Sequence, residues 1–383
     1  MQTSQQLINS LLLLMGTHNP EEKVRVADEL WKNLHSSSKS PLPITHNDRA
    51  YFLYKGNAET VMLVGDWTYW QPAITLQKIE HTDLFYGIQE FHPTARLQYK
   101  LIVDGNWILD PSNTHSSIEG FGQNSEFWMP KYRDESWLEP HSKVVHRGNV
   151  KRLEFNSKLL GEKREIFLYT PEYHHTDGFS LPLLIVHDGA EALSIGKFHH
   201  ILDNLQSAGK IPPCAALFIT PKDRIGEYAL NASYPDFCIH EALHEALAQW
   251  KKWNVPISED SSKRSITGAS LGGLLATKTS LQFPKDIGVC IAQSPSYWWN
   301  QAEIFHSPYL KNAAKVEFHL QTGTVCDAQK MTESMFHRLK HLGATVLYQE
   351  FHQSHTWGNW RTNLASALQS WLSPMSIPHH IQS

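Results

Sequence analysis

The chain has 383 residues and a formal net charge of −4, with 41% apolar and 19% charged residues. This composition is typical of an ordinary globular protein, and the weak negative charge argues against a nucleic acid or an anionic membrane surface as partner. The length favours two domains. The 23 histidines are scattered. Because no His-Glu-x-x-His or Cys-x-x-Cys spacing occurs, we expect neither a metal nor another cofactor.

The cysteines and the N-terminal residues bear on the cellular compartment. The four cysteines are far apart, which favours reduced thiols over a disulfide framework; they are Cys214, Cys238, Cys290 and Cys326. The apolar run from Leu11 to Met15 is short, and no basic residue precedes it. We therefore expect no signal peptide and no transmembrane segment, and a cytoplasmic location is the default prediction.

The first part of the chain divides into a helical segment and a β-rich segment. Residues 1–40 are predicted to be helical, with Ser36–Ser40 as a linker. From residue 45 to residue 130, short runs rich in β-branched and aromatic residues alternate with turns such as Asp104-Gly105, which is a hairpin signal. This segment predicts a small antiparallel β-sandwich, and residues 131–148 are predicted to be a linker.

The remainder, residues 149–375, alternates predicted strands and helices. Three of the strands are continuously apolar, namely Leu181–Val186, Ala215–Ile219 and Val289–Ala292, as expected of strands buried on both faces. Alternation of this kind indicates a mostly parallel sheet covered by helices. The predicted fold class is therefore an α/β domain preceded by an all-β domain.

A short strand, a sharp turn and a helix start are predicted around Gly268-x-Ser270-x-Gly272. In such a turn, bulky side chains two positions either side of the serine would collide, which accounts for the two glycines. The turn exposes the Ser270 hydroxyl, and the amide of Leu271 points to where an oxyanion would form. Ser270 is therefore the candidate nucleophile. The alternative is a Gly-rich packing turn with a buried serine.

A serine hydroxyl needs a base that takes its proton and an acid that orients the base. On a sheet of this kind the acid follows a later strand, and the histidine follows the last strand. Asp327 follows the predicted strand 316–321 and is the candidate acid. After the predicted strand 345–351, His355 lies deeper in the loop than His352. We prefer His355 as the base, with His352 as its rival.

The second amide of an oxyanion hole should come from the loop after an earlier buried strand. That loop is His187-Asp188-Gly189, directly after Leu181–Val186. A glycine at this place would let the backbone approach a tetrahedral intermediate closely. We expect the amides of Leu271 and Gly189 to form the oxyanion hole.

Four motifs follow one another in the β-rich segment: Val64–Trp70, Gln98–Trp107, Asp110-Pro111 and Gly122–Asn124. They resemble the immunoglobulin-like module of glycogen-binding and branching-enzyme proteins. In the sugar-binding members of that family, aromatic rings stack on glucose while a lysine and an asparagine bind hydroxyls. The resemblance therefore implies a glycan site at Trp70, Lys100, Trp107 and Asn124. The alternative is that the module serves only as a lid or spacer, with both tryptophans buried by packing.

Five motifs stand in order in the second half of the chain: His187-Asp188-Gly189, Arg224-x-x-Glu227-Tyr228-x-x-Asn231, Gly268-x-Ser270-x-Gly272-Gly273, Ser294–Trp299, and His355 with Trp360 five residues on. They resemble the enterochelin (enterobactin) esterases and the wider esterase D-like hydrolases. The resemblance implies an α/β-hydrolase catalytic domain preceded by an immunoglobulin-like sandwich. It also implies a substrate pocket formed by His187, Asp188, Arg224, Glu227, Asn231, Tyr297, Trp298, Trp299 and Trp360.

The sequence departs from this family pattern at two places. Gln353-Ser354 stands where the family has Gly-Gly before the histidine, and Leu193 lies near the position of a tryptophan expected after the His-Asp-Gly motif. These departures leave the implied reaction class intact, but they leave the natural ester open.

The leading hypothesis is a serine carboxylic-ester hydrolase that acts on a small-molecule ester. The resemblance implies a siderophore trilactone, whereas the β-rich module favours a feruloyl or acetyl ester on a carbohydrate. A non-catalytic glycan-binding protein is an alternative, although such a protein usually loses a member of the catalytic set. An acyltransferase is another alternative, and the oligomeric state is left open.

Overall fold

The structure is a computed structural model that describes residues 3–35, 42–140, 146–172 and 179–372. The predicted linker Ser36–Ser40 lies outside the described residues, as do residues 141–145 of the second predicted linker. The chain divides into two units. One contains Met1–Arg133 and His352–Ser354, and the other contains Asp134–Phe351 and the residues from His355 onward.

The described part of the first unit combines two helices with two antiparallel sheets. The helices are α1 (Ser4–Gly16) and α2 (Pro20–His35), and the strands are β1 (Ile44–His46), β2 (Arg49–Lys55), β3 (Val61–Gly65), β4 (Ile74–Thr75), β5 (Gln77–Lys78), β6 (Leu84–Glu90), β7 (Arg96–Val103), β8 (Asn106–Ile108), β9 (Ser116–Glu119) and β10 (Gly122–Trp128). The sheet orders are β1-β2-β6-β5 and β4-β3-β7-β10-β9, with β8 paired to β7. The predicted antiparallel sandwich is confirmed.

Strand β2 is buried on both faces because its alternate side chains belong to two different cores. The ring of Phe52 lies edge-on to Tyr99 of β7 (5.1 Å) and to Phe127 of β10 (5.4 Å), between the two sheets. Its neighbours Tyr51 and Leu53 belong to a second apolar cluster, which contains the buried side chains of α1 and α2. The N-terminal helices therefore cover the outer face of the first sheet.

Asp66 is a buried acid directly after β3, with 2% of its surface exposed. Burial raises the pKa of Asp66 to about 7, although the backbone amide of Gln98 donates to Oδ2 over 2.8 Å. Between the ordinary pKa of an aspartate and this raised value, the folded state binds more protons than the unfolded state. The contribution of Asp66 to stability therefore falls as the pH rises through that window.

We expect Asp66→Asn to stabilise the protein at pH 8 by about 2–4 kcal/mol, because the amide keeps an acceptor for Gln98 and removes the buried charge. The gain should shrink steadily as the pH falls towards 4, where the wild-type carboxyl is protonated in the folded state. Urea unfolding, followed by tryptophan fluorescence at several pH values, measures the gain in stability and its dependence on pH. The exposed Glu80→Gln serves as the matched control, and a gain that did not vary with pH would contradict the buried-charge explanation.

The described part of the second unit is built on one eight-stranded sheet in the order β11-β12-β14-β13-β15-β16-β17-β18. The strands are β11 (Asn149–Ser157), β12 (Glu162–Thr170), β13 (Leu183–Val186), β14 (Ala215–Ile219), β15 (Arg264–Ala269), β16 (Val289–Gln293), β17 (Glu317–Gly323) and β18 (Thr345–Phe351). Strands β13 to β18 are parallel, whereas β11 and β12 pair antiparallel. The predicted α/β fold class is confirmed.

Helices cover both faces of this sheet. They are α3 (Gly189–Ser194), α4 (Phe198–Ser207), α5 (Tyr234–Asp236), α6 (His244–Lys252), α7 (Leu271–Gln282), α8 (Trp299–Ala302), α9 (Gln329–His341) and α10 (Trp357–Leu372). Leu183 and Ile185 of β13 pack in the apolar core that contains α6, α7 and α9, while Leu184 and Val186 pack in the core with α4 and α10. This explains why the strand is apolar at every position.

The strand order reverses beside β13. The chain passes from β13 to β14 on one side and later returns to β15 on the other side. In an open parallel sheet, a crevice forms at the carboxyl ends of the strands where the order reverses. The loops after β13 and β15 carry the predicted oxyanion residues and the predicted nucleophile, so the topology places them at this crevice.

Candidate active site

Ser270 lies in a strained turn between β15 and α7. Its backbone angles are φ 57° and ψ −121°, a conformation that non-glycine residues rarely adopt. A Cβ atom on Gly268 would lie 2.5 Å from the carbonyl carbon and oxygen of Gly272. A Cβ atom on Gly272 would lie 2.9 Å from Oδ2 of Asp188. Backbone sterics therefore require Gly268, and the carboxylate of Asp188 occupies the space that a side chain on Gly272 would need. The strand, the sharp turn and the helix start follow one another as predicted.

The Asp327 side chain is buried and surrounded by hydrogen-bond donors. Its Oδ1 accepts from the amide of Ala328 (2.7 Å) and lies 2.7 Å from Nδ1 of His355. Its Oδ2 accepts from the Ser294 hydroxyl (2.6 Å) and from the amide of Gly323 (2.6 Å). Burial by itself would raise the pKa of Asp327, but these donors and the adjacent imidazole hold it below its ordinary value. The carboxylate is therefore ionised at neutral pH.

The contact with Asp327 determines which nitrogen of His355 carries the proton. An ionised carboxylate only accepts, so Nδ1 is the donor and Nε2 is left as an acceptor. The imidazole ring packs edge-on against Trp360, with ring centroids 5.1 Å apart. The rival His352 belongs to the first unit, where its ring stacks on His92 at 3.4 Å. The structure thus brings Asp327 together with His355 rather than with His352.

The predicted oxyanion residues lie at the starts of two helices. Leu271 is the first residue of α7, and Gly189 is the first residue of α3. The first amides of a helix have no partner within it and remain available to a ligand. Strands β13 and β15 are direct neighbours in the sheet, so the two helix starts adjoin. A Cβ atom on Gly189 would lie 2.8 Å from the backbone of Phe218, so packing against β14 also demands this glycine.

Arg224 ties the loop after β13 to the turn that carries Ser270. Its guanidinium donates from Nε to Oδ1 of Asp188 (2.7 Å) and from Nη2 to Oδ2 (2.9 Å). Nη2 also donates to the carbonyl oxygen of Ala269 (3.2 Å), the residue before Ser270. The amide of Asp188 donates to the hydroxyl of Tyr228 (2.8 Å). Bidentate pairing of this kind gives geometric specificity. The pairing of Arg224 with Asp188 therefore fixes the position of the loop that carries Gly189.

Three other predicted pocket residues lie in different surroundings. Burial lowers the pKa of His187 to about 3, helped by the charge of Arg224, so its imidazole is neutral. Glu227 pairs with Arg164 through two hydrogen bonds of 2.6 and 2.9 Å. Asn231 accepts the amide of Ser233 (2.9 Å) in a local turn.

The four predicted aromatic pocket residues occupy different environments. Tyr297 is fully buried, and its hydroxyl lies 2.8 Å from that of Thr277. Trp360 is buried beside His355, and Trp299 is half-buried against the core. Trp298 is 55% exposed. Trp298 is therefore the aromatic side chain of this group that is most accessible to a ligand.

The four predicted glycan residues lie in the first unit. Trp107 of β8 pairs with Ile102 of β7, and Lys100 shares that face because side chains alternate along a strand. Asn124 of β10 donates to Oε1 of Gln98 (2.8 Å), which lies on the same face of β7. Trp107 is 49% exposed. Trp70 is half-buried and follows the turn after β3 with a φ of 59°.

A family model described as "Putative esterase" matches residues 157–371, more than half of the chain. The chain belongs to this esterase family. A second model, described as the glycogen recognition site of AMP-activated protein kinase, matches residues 49–124. Both resemblances inferred from the motifs are therefore confirmed.

Curated proteins and solved structures agree with this family assignment. The chain is 26% identical over 255 residues to the iron(III) enterobactin esterase of Dickeya dadantii, a match that covers 59% of this chain and 58% of that protein. It is 27% identical over 197 residues to the iron(III) enterobactin esterase of Escherichia coli K12, covering 50% and 47%. The chain thus spans about half the length of these curated relatives.

Among solved structures, the enterobactin esterase of Shigella flexneri, crystallised in the presence of enterobactin, aligns with a TM-score of 0.68 and 20% identity. That alignment covers 84% of this chain and 92% of the other. The ferric enterobactin esterase of Salmonella typhimurium aligns with a TM-score of 0.68 and 19% identity, covering 84% and 93%. These structures show that the esterase and its relatives share one fold.

Two serines near Ser270 were missed as site residues by the sequence analysis. Ser294 donates to Asp327, and the hydroxyl of Ser296 lies 3.2 Å from the hydroxyl of Ser270. Their position in the sequence could have identified them as neighbours of Ser270. They directly follow β16, the neighbour of the strand that carries Ser270, so their loop has to adjoin the turn.

The described residues of the esterase contain neither a candidate membrane span nor a candidate metal cluster. None of their helices combines the length and apolar character needed to cross a bilayer. Within the same residues, no group of three or more His, Cys, Asp or Glu side chains is arranged to hold a metal ion.

Proposed function

We propose that this protein is a serine carboxylic-ester hydrolase in which Ser270 is the nucleophile, His355 the general base and Asp327 the orienting acid. The observation that carries the proposal is the 2.7 Å contact between Nδ1 of His355 and Oδ1 of Asp327. These residues follow the adjacent parallel strands β18 and β17. Ser270 follows β15 at the same edge of the sheet, in a turn whose geometry suits an exposed nucleophile.

In the proposed reaction, Nε2 of His355 takes the hydroxyl proton of Ser270 as Oγ attacks the ester carbonyl carbon. Asp327 remains ionised and stabilises the imidazolium that forms. The carbonyl oxygen becomes an oxyanion, which the amides of Leu271 and Gly189 stabilise. The imidazolium then protonates the leaving alkoxide, and an acyl-enzyme remains on Ser270. A water molecule, deprotonated by the same nitrogen, hydrolyses the acyl-enzyme and restores the serine.

The surroundings of the turn favour an ester that carries an aromatic or other large apolar group. Ile225 is 54% exposed and directly follows Arg224, whose guanidinium binds the carbonyl of Ala269. Trp298 is 55% exposed and lies two residues after Ser296, whose amide donates to the carbonyl of Ser270. Two exposed apolar side chains therefore belong to segments that contact the turn, and apolar surface of this kind suits a catechol or feruloyl ring.

Two natural esters fit this description. The relatives named iron(III) enterobactin esterases support a catecholate siderophore trilactone. The module that matches a glycogen recognition site supports a feruloyl or acetyl ester of a carbohydrate. The four cysteines are free thiols, which supports a reducing compartment such as the cytoplasm and therefore favours the siderophore.

The experiment that tests the function compares kcat/KM for p-nitrophenyl esters, a feruloylated sugar and ferric enterobactin, with Ser270→Ala as the background in each assay. We expect hydrolysis of the p-nitrophenyl esters and the highest kcat/KM for ferric enterobactin. Preference for the feruloylated sugar would support the carbohydrate ester instead. An added alcohol that captures most of the acyl group would identify an acyltransferase. Failure of the wild type to turn over any of these esters would contradict the proposal.

We propose glucan binding by the first unit as a second function, independent of ester hydrolysis. The supporting observation is that Trp107 is 49% exposed on the same sheet face as Lys100 and Asn124. An exposed indole flanked by a cation and an amide is suited to stack on a sugar ring and to bind its hydroxyls. Burial by packing, the alternative interpretation of this residue, does not suit a side chain that is half accessible.

If the module binds a glucan, Trp107→Ala should weaken binding to glycogen by about 10- to 100-fold, because the stacking surface is lost. Hydrolysis of a small p-nitrophenyl ester should stay unchanged. Affinity electrophoresis in glycogen gels measures the binding. Ile118→Ala, which removes another exposed apolar side chain of the same unit, is the matched control. Equal migration of the wild type with and without glycogen would overturn the glucan proposal.

A further inference from the structure

Ser294 occupies a constrained position next to the proposed catalytic residues. It is the first residue after β16, it is 1% exposed, and its amide donates to the carbonyl oxygen of Gln321 (2.7 Å). Its φ is 42°, a value that a non-glycine residue adopts only at a cost in backbone energy. Strained and buried polar residues of this kind cluster at functional sites.

The hydrogen bonds of Ser294 have a fixed direction. The indole nitrogen of Trp360 lies 3.0 Å from Oγ of Ser294, and an indole N–H can only donate. The Ser294 hydroxyl is therefore the acceptor in that contact. Its own proton points to Oδ2 of Asp327, 2.6 Å away, and an ionised carboxylate can only accept. The result is an ordered relay from Trp360 through Ser294 to Asp327.

Trp360 is itself held in place on two sides. Its carbonyl oxygen accepts from Nε2 of Gln293 (2.8 Å), and the same Nε2 lies 2.9 Å from Oε1 of Gln321. Both glutamines are buried, on the neighbouring strands β16 and β17. The ring of Trp360 packs edge-on to His355. One tryptophan thus contacts the imidazole directly and the carboxylate through Ser294.

We propose that Ser294 is a positioning residue that orients the Asp327 carboxylate towards His355, with Trp360 fixing the direction of the Ser294 hydroxyl. This inference rests on the proposed function. The carboxylate could otherwise rotate about its Cβ–Cγ bond. The donors on Oδ2, Ser294 and Gly323, hold that oxygen in place and leave Oδ1 facing Nδ1 of His355. Ser294 does not touch the ester and acts only through Asp327.

The test removes the hydroxyl in two ways that differ in their effect on stability. Ser294→Ala keeps the strain of the positive φ, whereas Ser294→Gly relieves it. We expect kcat for p-nitrophenyl butyrate to fall about 10- to 100-fold in both variants, the effect of losing a hydrogen bond to a charged group. KM should stay within about twofold, because uniform substrate binding is untouched. The glycine variant should nevertheless unfold at the higher temperature of the two.

Further variants separate positioning from simple structural damage. Trp360→Phe keeps the aromatic contact with His355 but removes the indole donor, so we expect a smaller loss of kcat than in Ser294→Ala. Ser334→Ala, on the exposed face of α9, should leave kcat unchanged. A loss of kcat that followed the unfolding temperature, large in Ser294→Ala and absent in Ser294→Gly, would overturn the proposal in favour of a structural role.

A second measurement does not depend on turnover. The Nδ1 proton of a histidine that donates to a carboxylate gives a low-field proton resonance, which here is assigned by its loss in His355→Ala. We expect this resonance to shift in both Ser294 variants and to stay in place in Ser334→Ala. If the wild type hydrolysed no ester, the proposed function would be wrong. The resonance would still show whether Ser294 orients Asp327, because it does not depend on turnover. An unmoved resonance in both Ser294 variants would overturn the inference by itself.

Discussion

Ser270→Ala is expected to lower kcat for ester hydrolysis by about 10⁴- to 10⁶-fold, because removal of the nucleophile leaves only the rate enhancement from the oxyanion hole and binding. Alanine keeps a Cβ atom in the strained turn, where φ is 57°, so the fold should be unaffected. Initial rates with p-nitrophenyl butyrate measure the loss, and thermal unfolding checks the fold.

Three further observations complete this test. Ser334→Ala provides the matched serine control on an exposed helix face. The wild type should show a burst of p-nitrophenol equal to the enzyme concentration wherever deacylation is slower than acylation, and Ser270→Ala should show none. Retention of more than a few per cent of wild-type kcat by Ser270→Ala would place the nucleophile elsewhere.

His355→Ala is expected to reduce kcat almost as much as the serine variant, about 10⁴-fold or more, because nucleophile and base act as one unit. Asp327 would then face no imidazole, and the Ser270 hydroxyl would lose its base. His352→Ala is the matched control from the same loop. Since its ring stacks on His92 in the first unit, we expect kcat to change by less than about threefold.

The His355→Ala and His352→Ala variants together also test which histidine of the loop is the catalytic base. If His352→Ala abolished hydrolysis and His355→Ala preserved it, the 2.7 Å contact between His355 and Asp327 would have no catalytic meaning.

The folds of both domains followed from local sequence patterns. β13 is apolar at every position because it packs on both faces, and this feature is visible without a structure. Asp104 and Gly105, both with positive φ, form the predicted hairpin turn between β7 and β8. The turn at Ser270 was equally accessible, because the exclusion of a side chain at Gly268 by the backbone of Gly272 is a short-range steric effect within five residues. The exclusion at Gly272 depends instead on Asp188, which comes from the distant loop after β13.

Contacts between distant residues decided the roles that local patterns left ambiguous. Glu227 and Tyr297 are predicted pocket residues only because they belong to motifs shared with a family. In the structure, Glu227 pairs with Arg164, 63 positions away, and Tyr297 packs against Thr277. A motif shows which residues stand together in a sequence, but the direction of each side chain depends on the elements packed around it.

The sequence by itself determined the fold class, the strained turn at Ser270 and the order of the candidate nucleophile, acid and base, because each depends on periodicity, sterics within a few residues or the course of the chain through a parallel sheet. Only the tertiary structure decided that His355 rather than His352 faces Asp327, and that Ser294 joins Asp327 to Trp360. Ser294 lies 33 positions from Asp327 and 66 from Trp360. Hydrogen bonds across such separations form only when β16, β17 and α10 pack together, so no local pattern encodes them.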